Sequence, residues 1–313
     1  MITSLHGYRE TISRNVNAPC ASEPRKDTAE HVPGGFQGPP ALPAAKPDSR
    51  RGFSLIELIG VLAVIAILAA AAVPAVIKQV DFAAWSNENA SLSAMKDALV
   101  QHILRSSNIP CKANSAAAIS SEMGLAPANI ATTPRNYNRA FLIDPSGWLG
   151  TALASSDWNQ GPAGTTVSPT SSRLMIVSQV GGPPLPTIPS TAFSNIWNTA
   201  QGAKPSTLAA WTGNGADLVI QRINLDPLFY RVILNPIDTN SFGLFTIENN
   251  GTVIQPLTPI TSGSLPHSYW FLQGTVLCLY DNNTVPPYLE AKVIVQADCS
   301  FVFQNKAWRG LPQ

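Results

Sequence analysis

The sequence predicts an α+β protein: a long amino-terminal helix, membrane-spanning in its apolar first half, packed by its second half on a largely antiparallel β head. Three observations carry that expectation. Residues 53–77 form a run of 25 that contains one charge, Glu57, long enough at about 1.5 Å per residue to cross a hydrocarbon core. An apolar stripe at three- and four-residue steps then continues the helical period to about residue 105. From residue 218 onward, short β-branched and aromatic runs alternate with turn residues.

Taken in order, residues 1–52 read as an unstructured cytoplasmic leader, with Pro33-Gly34-Gly35, Pro39-Pro40 and scattered charges but no apolar period. Residues 53–77 are the transmembrane segment. Its late proline, Pro74, is expected to kink the helix rather than end it, because neighbouring groups in a membrane helix can satisfy the freed carbonyl. Residues 78–105 are the amphipathic continuation, with Ile77, Val80, Ala84, Trp85, Leu92, Met95, Leu99 and Ile103 on one stripe. Lys78, Glu88, Lys96 and Arg105 are placed largely off it.

Residues 106–313 are the globular extracytoplasmic head. Ser115 is placed to cap a short helix over 116–123 that stops at Gly124. Strands are expected at 139–143, 173–180, 218–225, 229–234, 243–248, 252–257, 269–273, 276–280, 289–296 and 300–304, with a short helix or an insertion at 190–200. Asn249-Asn250-Gly251 between two apolar runs is the clearest hairpin signal. The closing Ala307-Trp308-Arg309-Gly310 reads as an aromatic plug or a contact surface.

Composition narrows the function. The chain of 313 residues is 45% apolar, enough to bury a real core, and only 12% charged. The 261 residues from Phe53 onward carry 13 basic and 14 acidic side chains, a net of −1, so no basic field exists to attract nucleic acid. A surface rich in Asn, Ser, Thr, Gly and Pro suits a loop-rich domain outside the cytoplasm.

The junction before the apolar run carries the most information. Arg50 and Arg51 hold the preceding segment on the cytoplasmic side, Gly52 offers an unencumbered peptide bond, and Glu57 sits just inside the run. A carboxylate there costs roughly 2.5–3.5 kcal/mol by insertion scales unless it has a partner. Arg51-Gly52-Phe53-Ser54-Leu55-Ile56-Glu57-Leu58 resembles the processing site of type IV prepilins and type II secretion pseudopilins. The resemblance covers about residues 50–77, and Pro74 matches a proline common in that family's helix.

The resemblance implies cleavage between Gly52 and Phe53, N-methylation of Phe53, and assembly in which Glu57 pairs with the Phe53 ammonium of a neighbouring helix. The partners it implies are a prepilin peptidase that is also the methyltransferase, other pilins or pseudopilins, and an inner-membrane assembly platform with its ATPase. The location is then the bacterial inner membrane, crossed once, with the head outside the cytoplasm and later in a periplasmic or cell-surface filament. A head this large favours a minor or specialised subunit of a type IV pilus or type II secretion pseudopilus.

Other readings compete. A secretory signal cut near Ala69–Ala72 would account for an apolar run, but such runs are about 7–15 residues and lack an acid at the start. A membrane-anchored extracytoplasmic ligand-binding protein would use Trp148, Trp158, Trp197, Trp211, Trp270 and Trp308. An enzyme is not expected: from Phe53 onward the histidines are His102 and His267, and no nucleophile elbow, zinc helix or phosphate-binding loop is present in the sequence. No cofactor is expected either. Asp238-Thr239-Asn240 and Asp281-Asn282-Asn283 offer oxygens of the kind calcium takes but have turn composition and match no complete calcium loop.

Cys111, Cys278 and Cys299 follow the leader, and no pair has the spacing of a zinc or redox site. With both late cysteines at strand-like runs flanking 289–296, a Cys278–Cys299 disulfide with Cys111 free is the preferred pairing; two separately buried thiols are the alternative.

Overall fold

A computed structural model describes residues 54–149, 153, 156–239, 242–260 and 266–311. Arg50, Arg51, Gly52 and Phe53, and with them the expected cleavage and methylation positions, lie outside the described residues.

Helix α1, Leu55–Ser106, runs for 52 residues and continues through Pro74. Every residue from 54 to 83 is exposed. The second half behaves differently: Leu92, Met95, Leu99 and Ile103 are almost completely buried, which is the stripe that the three- and four-residue period predicts. Glu88 corrects that reading. The apolar period leaves it off the stripe, yet it is only 4% exposed. Position 88 is three residues after Trp85 and four before Leu92, so the helix brings it to the same face.

The chain after α1 makes a two-residue strand β1 (Asn108–Ile109), helices α2 (Ser115–Met123) and α3 (Pro127–Ala131), then strand β2 (Ala140–Ile143). Helix α2 ends at Gly124 in the left-handed conformation, φ +67°, the stop expected there. Its N-cap is Asn114, not Ser115, whose hydroxyl instead donates to the Cys111 carbonyl. The second strand of a short pair, β3 (Trp158–Asn159), joins β1 antiparallel. Neither was legible, since two-residue strands carry no periodicity.

Strands β4 (Arg173–Gln179) and β5 (Leu218–Asn224) complete a three-stranded antiparallel sheet in the order β2-β4-β5. A short helix α4 (Phe193–Asn198) lies in the insertion between them. This sheet separates two cores. Leu174 and Ile176 of β4 join Leu92, Met95 and Leu99 of α1, whereas Met175 and Val177 join Phe193, Ile196 and Trp211 on the other side. An uninterrupted apolar run over 174–177 is what a strand covered on both faces requires.

The remaining strands are β6 (Phe229–Pro236), β7 (Gly243–Asn249), β8 (Thr252–Val253), β9 (Thr258–Ile260), β10 (His267–Leu272), β11 (Val276–Asp281), β12 (Tyr288–Ile294), β13 (Cys299–Gln304) and β14 (Ala307–Leu311). They form one sheet in the order β10-β6-β13-β14 and another in the order β12-β11-β7-β8, with β9 also paired to β7. A third core holds Val232, Leu234, Phe245, Ile247, Phe271 and Leu279 between them. Pairing is antiparallel apart from β6 with β13, which is parallel.

The β7–β8 hairpin turns at Asn250 and Gly251, φ +49° and +78°, the geometry for which an Asn-Gly pair is suited. Of the strand expected over 252–257, only Thr252–Val253 forms, as β8; β9 begins after it, at Thr258. The closing segment is a strand, β14, whose Trp308 packs on Phe303 and donates from Nε1 to the Tyr280 carbonyl.

The Cys278–Cys299 bridge is not formed: both are free thiols, as is Cys111. Cys278 on β11 faces Thr246 and Lys292 across its ladders, while Cys299 opens β13 in the other sheet opposite Val232. Nearness in sequence was misleading because β12 returns to β11 and the chain then changes sheets.

Candidate functional site

The amino-terminal end of α1 is built by Ser54 and Glu57. The Glu57 N–H donates to Ser54 Oγ at 3.2 Å, and the Ser54 N–H donates to Glu57 Oε2 at 2.9 Å. These reciprocal bonds satisfy two of the donors that any helix start leaves without an intrahelical acceptor. The Ser54-x-x-Glu57 spacing ahead of an apolar run is a readable capping signal that the reading of Glu57 as an assembly group passed over. A carboxylate offers about four acceptor positions, so engagement by Ser54 leaves room for a further donor.

Beyond this cap the helix is apolar as far as Ile77 and exposed on all sides as far as residue 83. By length and composition it is sufficient to cross a membrane. A helix apolar all round is stable only when lipid or other apolar helices surround it.

The head grips α1 through a buried ion pair. Arg139 donates from Nε to Glu88 Oε1 at 2.6 Å and from Nη2 to Oε2 at 2.8 Å, a two-pronged contact between side chains only 3% and 4% exposed. Nη1 donates to the carbonyls of Asn129, Ile130 and Thr132, and the Ser178 hydroxyl donates to Glu88 Oε1 at 2.6 Å. One arginine thus ties α1 to the end of α3, with β4 closing the network. Sequence reasoning singled out neither Glu88 nor Arg139.

The other candidate positions resolve into structure. His102 Nδ1 lies 3.2 Å from Glu122 Oε1, which also accepts from Arg105, so His102 packs α1 against α2. Asp238 accepts from the backbone N–H groups of Asn305 and Lys306, and Asp281 from that of Asn283, the work of turn caps. The six tryptophans considered for a ligand site divide among separate places: Trp148 and Trp158 meet Phe229 edge-on, Trp197 stacks on Phe193, Trp211 donates to the Pro183 carbonyl, Trp270 lies beside Arg231, and Trp308 packs on Phe303. They line no common binding surface. Burial pushes the Cys278 thiol above its ordinary range, reinforced by the carboxylate of Glu248, so it is the protonated, unreactive form of a core residue.

Residues 48–73 match the family model described as the prokaryotic N-terminal methylation motif. No curated protein and no solved structure matches the chain. The matched stretch takes in the Gly52–Phe53 junction, the Ser54–Glu57 cap and nearly all of the apolar run up to Pro74.

Proposed function

We propose that this chain, which carries a prepilin- or pseudopilin-like signal, is a structural subunit cut after Gly52, methylated on Phe53 and assembled through α1 into a type IV pilus or a type II secretion pseudopilus. The observation that carries the reading is the methylation motif over 48–73 standing directly on a helix whose residues are exposed from 54 to 83. Such a surface needs a bilayer first and apolar helices afterwards. The motif and the apolar helix together fit anchoring in the inner membrane with the head outside, as a precursor awaiting prepilin peptidase. Sibling pilins, an assembly platform and its ATPase complete the set of partners, and the extent of the head favours a minor or specialised role.

Within this reading Glu57 has two tasks. In the single chain it caps α1 with Ser54; in the filament its carboxylate neutralises the Phe53 ammonium of the neighbouring subunit. Glu57→Val is therefore expected to be cleaved but to enter filaments poorly, because the incoming amine is buried without a counter-charge. Immunoblots of sheared filaments measure this. Incorporation of the variant at the wild-type level contradicts the pairing.

A further inference from the structure

A cleft of about 730 Å³ lies where α1 first meets the head, lined among others by Asp81, Phe82, Trp85, Arg135, Tyr137 and Asp217. Its position along α1 decides what it meets. The apolar run ends at Ile77, and at about 1.5 Å per residue Asp81 to Trp85 stand roughly 6–12 Å beyond it. A bilayer with a core of about 30 Å and a total thickness of about 40–45 Å has a polar layer of roughly 5–8 Å on each side. With Ile77 at the outer edge of the hydrocarbon core, the cleft's α1 wall begins in the headgroup layer.

The lining suits that layer. Phe82 is 71% exposed, the placement of an aromatic side chain that sits at a membrane interface, while Trp85 behind it packs against the core of the head. Arg135 Nη1 donates to Asp81 Oδ1 at 3.0 Å and to the Val180 carbonyl at 2.7 Å. Both bonds leave from a single nitrogen, and a guanidinium carries five N–H groups, so the fork keeps donors suited to a phosphate. Asp217 supplies a second carboxylate, held by the Asn214 N–H at 3.0 Å. Gly181 and Gly182 keep the space beside it open: a Cβ on Gly181 would come within 3.0 Å of one Asp217 carboxylate oxygen, and one on Gly182 within 3.1 Å of the other.

One cationic and two anionic groups around an aromatic wall match a headgroup that carries both charges. We infer that this cleft seats one phosphatidylethanolamine headgroup of the outer leaflet, its phosphate on Arg135 and its ammonium between Asp81 and Asp217. The inference rests on the membrane-inserted precursor of the preceding reading. Lipid bound here fixes the height and rotation of the head over the bilayer before assembly, and extraction of the subunit into a filament must release it.

The full chain is incorporated into nanodiscs holding equal parts of phosphatidylethanolamine, phosphatidylcholine and phosphatidylglycerol, and lipids retained on the released protein are counted by native mass spectrometry. Wild type is expected to keep one phosphatidylethanolamine in preference to phosphatidylcholine, whose methylated ammonium donates no hydrogen bonds. Arg135→Gln should lower that retention about tenfold, the equivalent of one charge-assisted hydrogen bond. Asp81→Asn should narrow the preference over phosphatidylcholine. Unchanged circular dichroism and thermal midpoint in both variants shows the head intact. Equal retention of the two lipids, retention of phosphatidylglycerol alone, or Arg135→Gln behaving as wild type overturns the headgroup site while leaving membrane insertion standing. Failure of the wild type to enter nanodiscs overturns insertion itself and the headgroup site with it.

Discussion

Arg139→Ala is expected to destabilise the protein by about 3–5 kcal/mol, the cost of leaving one member of a buried ion pair uncompensated. Glu88 is the orphaned charge. It would keep only the Ser178 hydroxyl as a donor, in a position 4% exposed, and three carbonyls at the end of α3 would lose their donor as well. For a chain of this length the thermal midpoint should fall on the order of 10 °C. The double variant Glu88→Leu/Arg139→Leu should recover part of the loss, because an apolar pair of similar volume avoids the desolvation that both charges bear. Denaturant unfolding of the two variants beside wild type provides the check. A single variant within about 1 kcal/mol of wild type would show that the pair is solvated and that α1 is held by its apolar stripe alone.

Gly52→Val should abolish processing and leave the uncleaved, membrane-bound precursor. A peptidase acting at the edge of a bilayer must admit the backbone on both sides of the bond, and a β-branched side chain next to the cut fills that space and restricts the conformations the backbone can adopt. The substitution lies before the Ser54–Glu57 cap, so insertion of α1 should be unaffected. Mass spectrometry of the membrane fraction distinguishes the outcomes: a terminus at Phe53 in this variant would place the recognition elsewhere.

How much of this was legible depended on the length scale of the signal. The helix, the Asn250-Gly251 hairpin and most strands from 218 onward follow from periodicity and turn chemistry, which are local properties. The Leu174–Val177 stretch looked merely apolar, and only the structure separates Leu174 and Ile176, which face α1, from Met175 and Val177, which face α4. Glu88 escapes a reading by apolar period because a charged side chain ordinarily marks the wet side of a helix. Its partner Arg139 is 51 residues away, and nothing in a local pattern announces a pairing at that range. The cysteines failed for a related reason, since sheet membership after β12 is a question of topology rather than of spacing. At the amino-terminal site the motif is legible in full, and the Ser54-x-x-Glu57 cap is equally readable from its spacing ahead of the apolar run.

Whether the chain is a prepilin-type precursor is read most directly from the amino terminus of the wild-type protein recovered from cells that carry a prepilin peptidase. Intact-mass and peptide mass spectrometry should find a chain that begins at Phe53 and bears a methyl group on its amine. An intact leader, or a terminus among residues 69–73 as a secretory signal would leave, would contradict the prepilin reading.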